Sequence, residues 1–105
     1  MNKVFYHYLV PLDDSVALIE NAELLEKEKE KLIDIIHSIY DHKIVEIILN
    51  NIPIDHHERF IGMLAINPAD IEIISYLKSH NIEIDNIIQN TGKEIHQEII
   101  AMIHI

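Results

Sequence analysis

Residues 31–51, KLIDIIHSIYDHKIVEIILNN, contain seven isoleucines, and how they are read decides the fold. Propensity alone favours a strand, because a side chain branched at Cβ packs well on a pleated surface. Spacing points the other way. Leu32, Ile36, Ile39 and Tyr40, then Ile44, Ile47 and Ile48, recur at steps of three and four, and that pattern outranks propensity. The stretch therefore predicts a helix. With Ile33 and Ile35 the apolar positions cover more than one side, so deep burial is expected here. Asp41-His42 is a candidate kink or break. Asn50-Asn51 ahead of Ile52-Pro53 is a stop, since the residue before proline is pushed out of helical geometry.

Upstream, "ELLEKEKEK" extends the helical signal back to about Ala22, with Glu23 four residues before Lys27 and Glu26 and Glu28 each three before a lysine. Such spacings support an exposed, solvated helix face. A shorter helix over residues 15–21 is predicted ahead of it, with Asp13 or Asp14 as its N-cap. Residues 1–12 differ in character. Val4, Phe5, Tyr6, Tyr8, Leu9 and Val10 form an aromatic, β-prone segment closed by Pro11, expected to be a short strand or an extended arm across the helices, its rings either covering the core, the plainer reading, or forming an interface.

Downstream, "NIPIDHHERF" (residues 51–60) raises a question of chemistry, since paired histidines lie between carboxylates. Helix initiation accounts for more of it than metal binding does. Asp55 serves as N-cap, and Glu58, three residues on, completes a capping box. His56 and His57 then occupy solvated first-turn positions about 100° apart, so their rings do not converge on one ion. Phe60, Ile61, Leu64 and Ala65 would form that helix's buried stripe. Asn67-Pro68-Ala69-Asp70 repeats the logic, with Asn67 as N-cap, Pro68 at the first helical position, and Ile66 and Ile71 as a staple around the cap. Ile71, Ile74 and Leu77 would be buried next. The last segment carries a continuous seam of Ile84, Ile88, Thr91, Ile95, Ile99 and Met102, widened by Ile87, Ile100, Ile103 and Ile105. Gly92 inside it marks a kink or a close contact with another helix.

Composition narrows the function classes. At 105 residues the chain is one domain, read as residues 13–105 with residues 1–12 as its arm. Two glycines, Gly62 and Gly92, are too few for a β-sandwich or a nucleotide-binding loop. The formal charge of −10 argues against direct nucleic-acid binding and suits a basic partner. Without cysteine there is no disulfide, thiolate zinc or thiol catalysis. No apolar run reaches the roughly 18 residues of a membrane span. The N-terminus lacks the features of a signal peptide, so a cytoplasmic setting is expected.

The eight histidines offer no convincing metal motif. A carboxylate-bridged di-metal bundle needs two Glu-x-x-His pairs, and the chain offers only Asp34-Ile-Ile-His37. His37 with Asp41, and His42 with Glu46, have i,i+4 spacing and could each supply two ligands, with no third in view. Ser75-Tyr-Leu-Lys78 matches a penicillin-binding string without its two companion motifs. No catalytic residue, metal or cofactor is assigned.

From Ala22 onward, "LLEKEKEKLIDIIHSIYDHKIVEIILNNIP", "HHERFIGMLAINPADIEIISYLKSHN" and "IIQNTGKEIHQEI" resemble an uncharacterised family of small helical domains from candidate-phylum (Patescibacteria-type) bacteria. The resemblance implies an all-α fold and carries no activity and no site residues.

The expectation is an all-α, compact bundle of four or five helices with a short N-terminal arm or strand. The expected role is a small acidic interaction module without catalytic activity, self-associating through Phe5, Tyr6 and Tyr8 of the arm or Ile95, Ile99, Met102 and Ile103 of the last helix. The alternatives are an acidic regulator occupying a basic nucleic-acid-binding surface of another protein and, more weakly supported, a metal-dependent enzyme.

Overall fold

The computed structural model describes residues 4–103. The first three residues of the expected arm and Ile105 of the expected seam lie outside that range. Among the described residues the chain forms five α-helices and two 3₁₀ turns: α1 (Leu12–Glu20), α2 (Glu26–Leu49), α3 (His57–Ile66), α4 (Glu72–Lys78) and α5 (Ile84–Ile103), with turns at His7–Leu9 and Ile54–His56. The all-α reading holds, and none of the described helices is long and apolar enough to cross a membrane.

The isoleucine-rich stretch is one uninterrupted helix. α2 runs straight through Asp41-His42, so the expected break is absent, and it ends at Leu49 just before the two asparagines. Its 24 residues span about 36 Å and set the long axis of a molecule 46 × 25 × 19 Å. Ile36, Tyr40, Ile44 and Ile48 step by four along one face and are fully enclosed. Ile35 points away and is half exposed, so burial of this half is one-sided, contrary to the expectation.

α5 packs along α2, and α1 lies against both. The pair is antiparallel: Asn81, just before α5, donates from Nδ2 to the Asn51 carbonyl just after α2, while Lys43 Nζ of α2 reaches Glu98 Oε2 near the end of α5 at 2.7 Å. Four of the seam residues, Ile84, Ile88, Ile95 and Ile99, form α5's buried face; Thr91 is half-buried and Met102 exposed. α3 and α4 form a corner next to the first turns of α5. Phe60 of α3 is completely buried there, a placement that contributes on the order of 1.5–3 kcal/mol.

The N-terminal segment is no strand. Its residues turn, form the short 3₁₀ helix, and insert Phe5 and Tyr6 into the core, with Phe5 edge-on to Phe60 at 6.1 Å between centroids. Burial, then the neighbouring Asp41 carboxylate, pushes the Tyr6 phenol well above its usual range, and its hydroxyl donates to Asp41. Val10 lies on α5 at Gly92, where a Cβ would come within 2.5 Å of Val10 Cγ1. Gly92 therefore marks a close contact with the N-terminal segment and not a break in α5.

Three expected helix starts are shifted. α1 begins at Leu12, with Pro11 in the capping position, and Asp13 and Asp14 act as first-turn charges, where carboxylates favour the helix dipole. α2 begins at Glu26, four residues later than Ala22, behind an extended Leu25. α4 begins at Glu72 and not at Pro68, because the Pro68 carbonyl that such a helix would use accepts the Phe5 N–H at 2.7 Å. Asn67 Oδ1 instead accepts the Ala69 N–H within a turn, and Asp70 Oδ1 accepts the Glu72 N–H. The later start rotates the buried stripe to Ile73 and Leu77; Ile66 and Ile71, the expected staple, are both exposed.

Candidate docking groove and polar clusters

Three arrangements bear on function. The first is an apolar groove of about 360 Å³ where the end of α1, the N-terminal half of α2 and the end of α5 meet. Ile19, Ala22, Leu32, Ile36, Ile39 and Ile99 line it, with Leu24, Ile35, Met102 and Ile103 at its rim. Met102 is 61% exposed and Ile35 50%. The groove exists because α2 starts only after the extended Leu24-Leu25 link, so α1 stops short and leaves the side of α2 uncovered.

The second is a buried polar set. Ser15 Oγ, with no exposed surface, lies 2.7 Å from Tyr40 Oη and 2.7 Å from His96 Nδ1, joining α1, α2 and α5. Tyr40 also donates to the Pro11 carbonyl at 3.3 Å, and burial raises its phenol pKa. The serine is enclosed on every side, so its hydroxyl meets no substrate; the set satisfies polar atoms inside a helical core.

The third cluster corrects the reading of "NIPIDHHERF". No capping box forms. Asp55 sits inside the 3₁₀ turn, His56 occupies the cap position of α3, and no side chain caps that helix. Both histidines are half-buried and bonded. His57 Nε2 donates to the Ile52 carbonyl at 3.1 Å, and His56 Nδ1 lies 3.0 Å from Tyr76 Oη. His56 also stacks on His80 at 3.5 Å between centroids, Tyr76 meets His80 edge-on, and the Arg59 guanidinium lies 5.5 Å from the Tyr76 ring centre. Partial burial against these rings, then repulsion from His56 and Arg59, lowers the His80 pKa. Face-to-face stacking directs the ring nitrogens alongside each other and not at a shared ion. The cluster pins the α2–α3 link to the end of α4.

Of the expected pairs, His42 Nε2 lies 3.4 Å from Glu46 Oε2 on the open face of α2. Asp41 is engaged by Tyr6, with His37 half-buried one turn earlier. Among the described residues no three His, Cys, Asp or Glu side chains gather as metal ligands do. Of the residues expected at an interface, Phe5, Tyr6, Ile95 and Ile99 are taken up by the protein's own core, whereas Tyr8, Met102 and Ile103 reach the surface. Sequence reasoning missed Leu24 and Ile35; the signal available for Ile35 was its place off the Ile36–Tyr40–Ile44 face. No family model, curated protein or solved structure matches the chain.

Proposed function

We propose that the protein is a small, acidic, non-catalytic interaction module of the cytoplasm, and that its working surface is the groove between α1, α2 and α5. The observation that carries the proposal is a preformed apolar depression rimmed by the exposed Leu24, Ile35, Met102 and Ile103. Water-exposed Ile35 and Met102 gain roughly 25 cal/mol per Å² when a partner covers them. The enclosed Ser15 and the absence of cysteine favour docking over catalysis. The likeness to small helical domains of candidate-phylum bacteria stays part of this proposal and adds no activity to it.

Photo-crosslinking tests the reading. A photoreactive side chain at position 35 should give protein adducts in cells, and the same group at exposed Glu58 of α3 should not. Equal labelling from both positions, or none from position 35, would sink the docking surface. The net charge of −10 favours a second reading, an acidic regulator of a basic partner; its binding should weaken steeply with added salt.

A further inference from the structure

We infer that Ser15, Tyr40 and His96 form a pH-sensitive switch, a chain of hydrogen bonds that reverses direction when His96 gains a proton. The three side chains come from α1, α2 and α5, and Ser15 Oγ lies 2.7 Å from both Tyr40 Oη and His96 Nδ1. Each hydroxyl carries one proton and can accept as well as donate. The heavy-atom positions suit either order of protons, and the charge of His96 chooses between them.

Counting donors gives two complete arrangements. With His96 neutral and its proton on Nε2, Nδ1 accepts from the Ser15 hydroxyl, and Ser15 Oγ accepts from Tyr40. Tyr40 then directs its proton mainly along the 2.7 Å bond, with the Pro11 carbonyl at 3.3 Å as the weak branch. With His96 charged, Nδ1–H must donate to Ser15. Ser15 turns to donate to Tyr40 Oη, and Tyr40 donates wholly to Pro11. Every buried polar group keeps a partner both ways, as a core requires. The neutral ring takes the first arrangement, because a proton on Nδ1 would make the chain end on the longer Pro11 contact. The added proton comes from water and rests on Nδ1; both hydroxyls keep their own protons and only rotate about their C–O bonds.

Position exposes one end of the chain to solvent. The half-buried His96 ring lines a recess of about 290 Å³ with Asp14, Ala17, Leu18 and Asn21, whereas Ser15 has no exposed surface. The charged and titratable groups facing the ring are Asp14 of α1, which shares the recess, Tyr40 of α2, and Lys93 one turn back on α5. Lys43 of α2 is held by Glu98 at 2.7 Å. Burial raises the Tyr40 phenol above its usual range, so only the imidazole of this chain titrates near neutrality. The far end is Pro11, which leads into α1 and whose carbonyl also takes the Ser15 N–H at 3.1 Å. A proton taken up at the recess therefore strengthens the tie between α2 and the N-terminal segment.

NMR on the full chain, with ¹⁵N-labelled imidazoles and ¹³C at tyrosine Cζ, tests this between about pH 5 and 8. Neutral His96 should carry its proton on Nε2, and the Tyr40 Cζ signal should shift with the same midpoint as His96. His96→Gln and Ser15→Ala should each leave Tyr40 Cζ flat across that range. A neutral ring protonated on Nδ1 overturns the inference, as does a Tyr40 signal that stays still while His96 titrates. Tracking that survives Ser15→Ala would reduce the effect to the field of the charged ring and overturn it too. If Ser15→Ala does not fold, the wild-type tautomer and His96→Gln decide.

Discussion

Alanine at the two glycines should move stability in opposite directions, although both lie inside helices. In a free helix, glycine to alanine gains about 1 kcal/mol through propensity. Gly62 in α3 has no heavy atom within 4 Å of the added Cβ, so Gly62→Ala should realise that gain. At Gly92 in α5 the new Cβ would lie 2.5 Å from Val10 Cγ1 and 2.7 Å from Val10 Cβ, short of the ordinary 3.4 Å by 0.9 and 0.7 Å. Rotating χ1 moves Cγ1 away, but Val10 Cβ rides on the backbone and moves only if the segment does. That segment is tied on both sides. The Leu9 N–H donates to the Tyr6 carbonyl, and the Pro11 carbonyl accepts from Ser15 N and Tyr40 Oη. Overpacking a constrained site costs about 1–3 kcal/mol, and with little room to yield the upper half of that range applies. Subtracting the propensity gain leaves Gly92→Ala destabilised by about 1–2 kcal/mol, or roughly 4–16 °C in Tm for a domain of this size. Urea titration followed at 222 nm, with the m-value held constant, measures it. In a Val10→Gly background, which deletes the two closest crowding atoms and leaves Val10 Cα at 3.2 Å, the penalty should shrink to a small remainder. If Gly92→Ala is as stable as wild type or more so, the close packing of the N-terminal segment on α5 is refuted.

Ser15→Ala should cost about 1–3 kcal/mol by urea titration, since it strips a hydrogen-bond partner from both Tyr40 and His96 inside the helix junction; an unchanged midpoint would mean those polar groups find other partners. His80 titrates below its usual 6.5 in the folded protein, so the unfolded chain binds more protons there and stability falls as pH drops below 6.5. His80→Gln should flatten that slope, and an NMR titration placing His80 above 6.5 would refute it. The Tyr6 phenol is raised above 10.0, so the folded state binds more protons in alkali and stability declines once pH passes 10. Tyr6→Phe should lessen that decline, as read from Tm against pH.

Elements with strong, long-range periodicity were legible. α5 follows the isoleucine seam almost residue for residue, and α2 follows its four-residue repeat and its asparagine stop. Short elements were not, because distant partners settle them. α4 looked as though it should start at Pro68, but the Phe5 N–H takes the carbonyl that start requires. The capping box failed because His56 and His57 bond Tyr76 and the Ile52 carbonyl, placing Asp55 in a 3₁₀ turn. The groove was half legible. Met102 and Ile103 stood out as an apolar helix end, while Ile35 could not be separated from its buried neighbours until α5 and α1 had chosen their side of α2.

By itself the sequence determined that the chain is helical, where α5 runs and where α2 stops, and that cysteine chemistry is closed to it, since these depend on local spacing and composition. Tertiary structure decided which aromatic residues of the N-terminal segment are core, which histidines are held in a ring stack, and which isoleucines remain in water. Those outcomes depend on which surfaces meet, and a residue's burial there is set by residues far away in the chain, 35 positions for Tyr6–Asp41 and 81 for Ser15–His96.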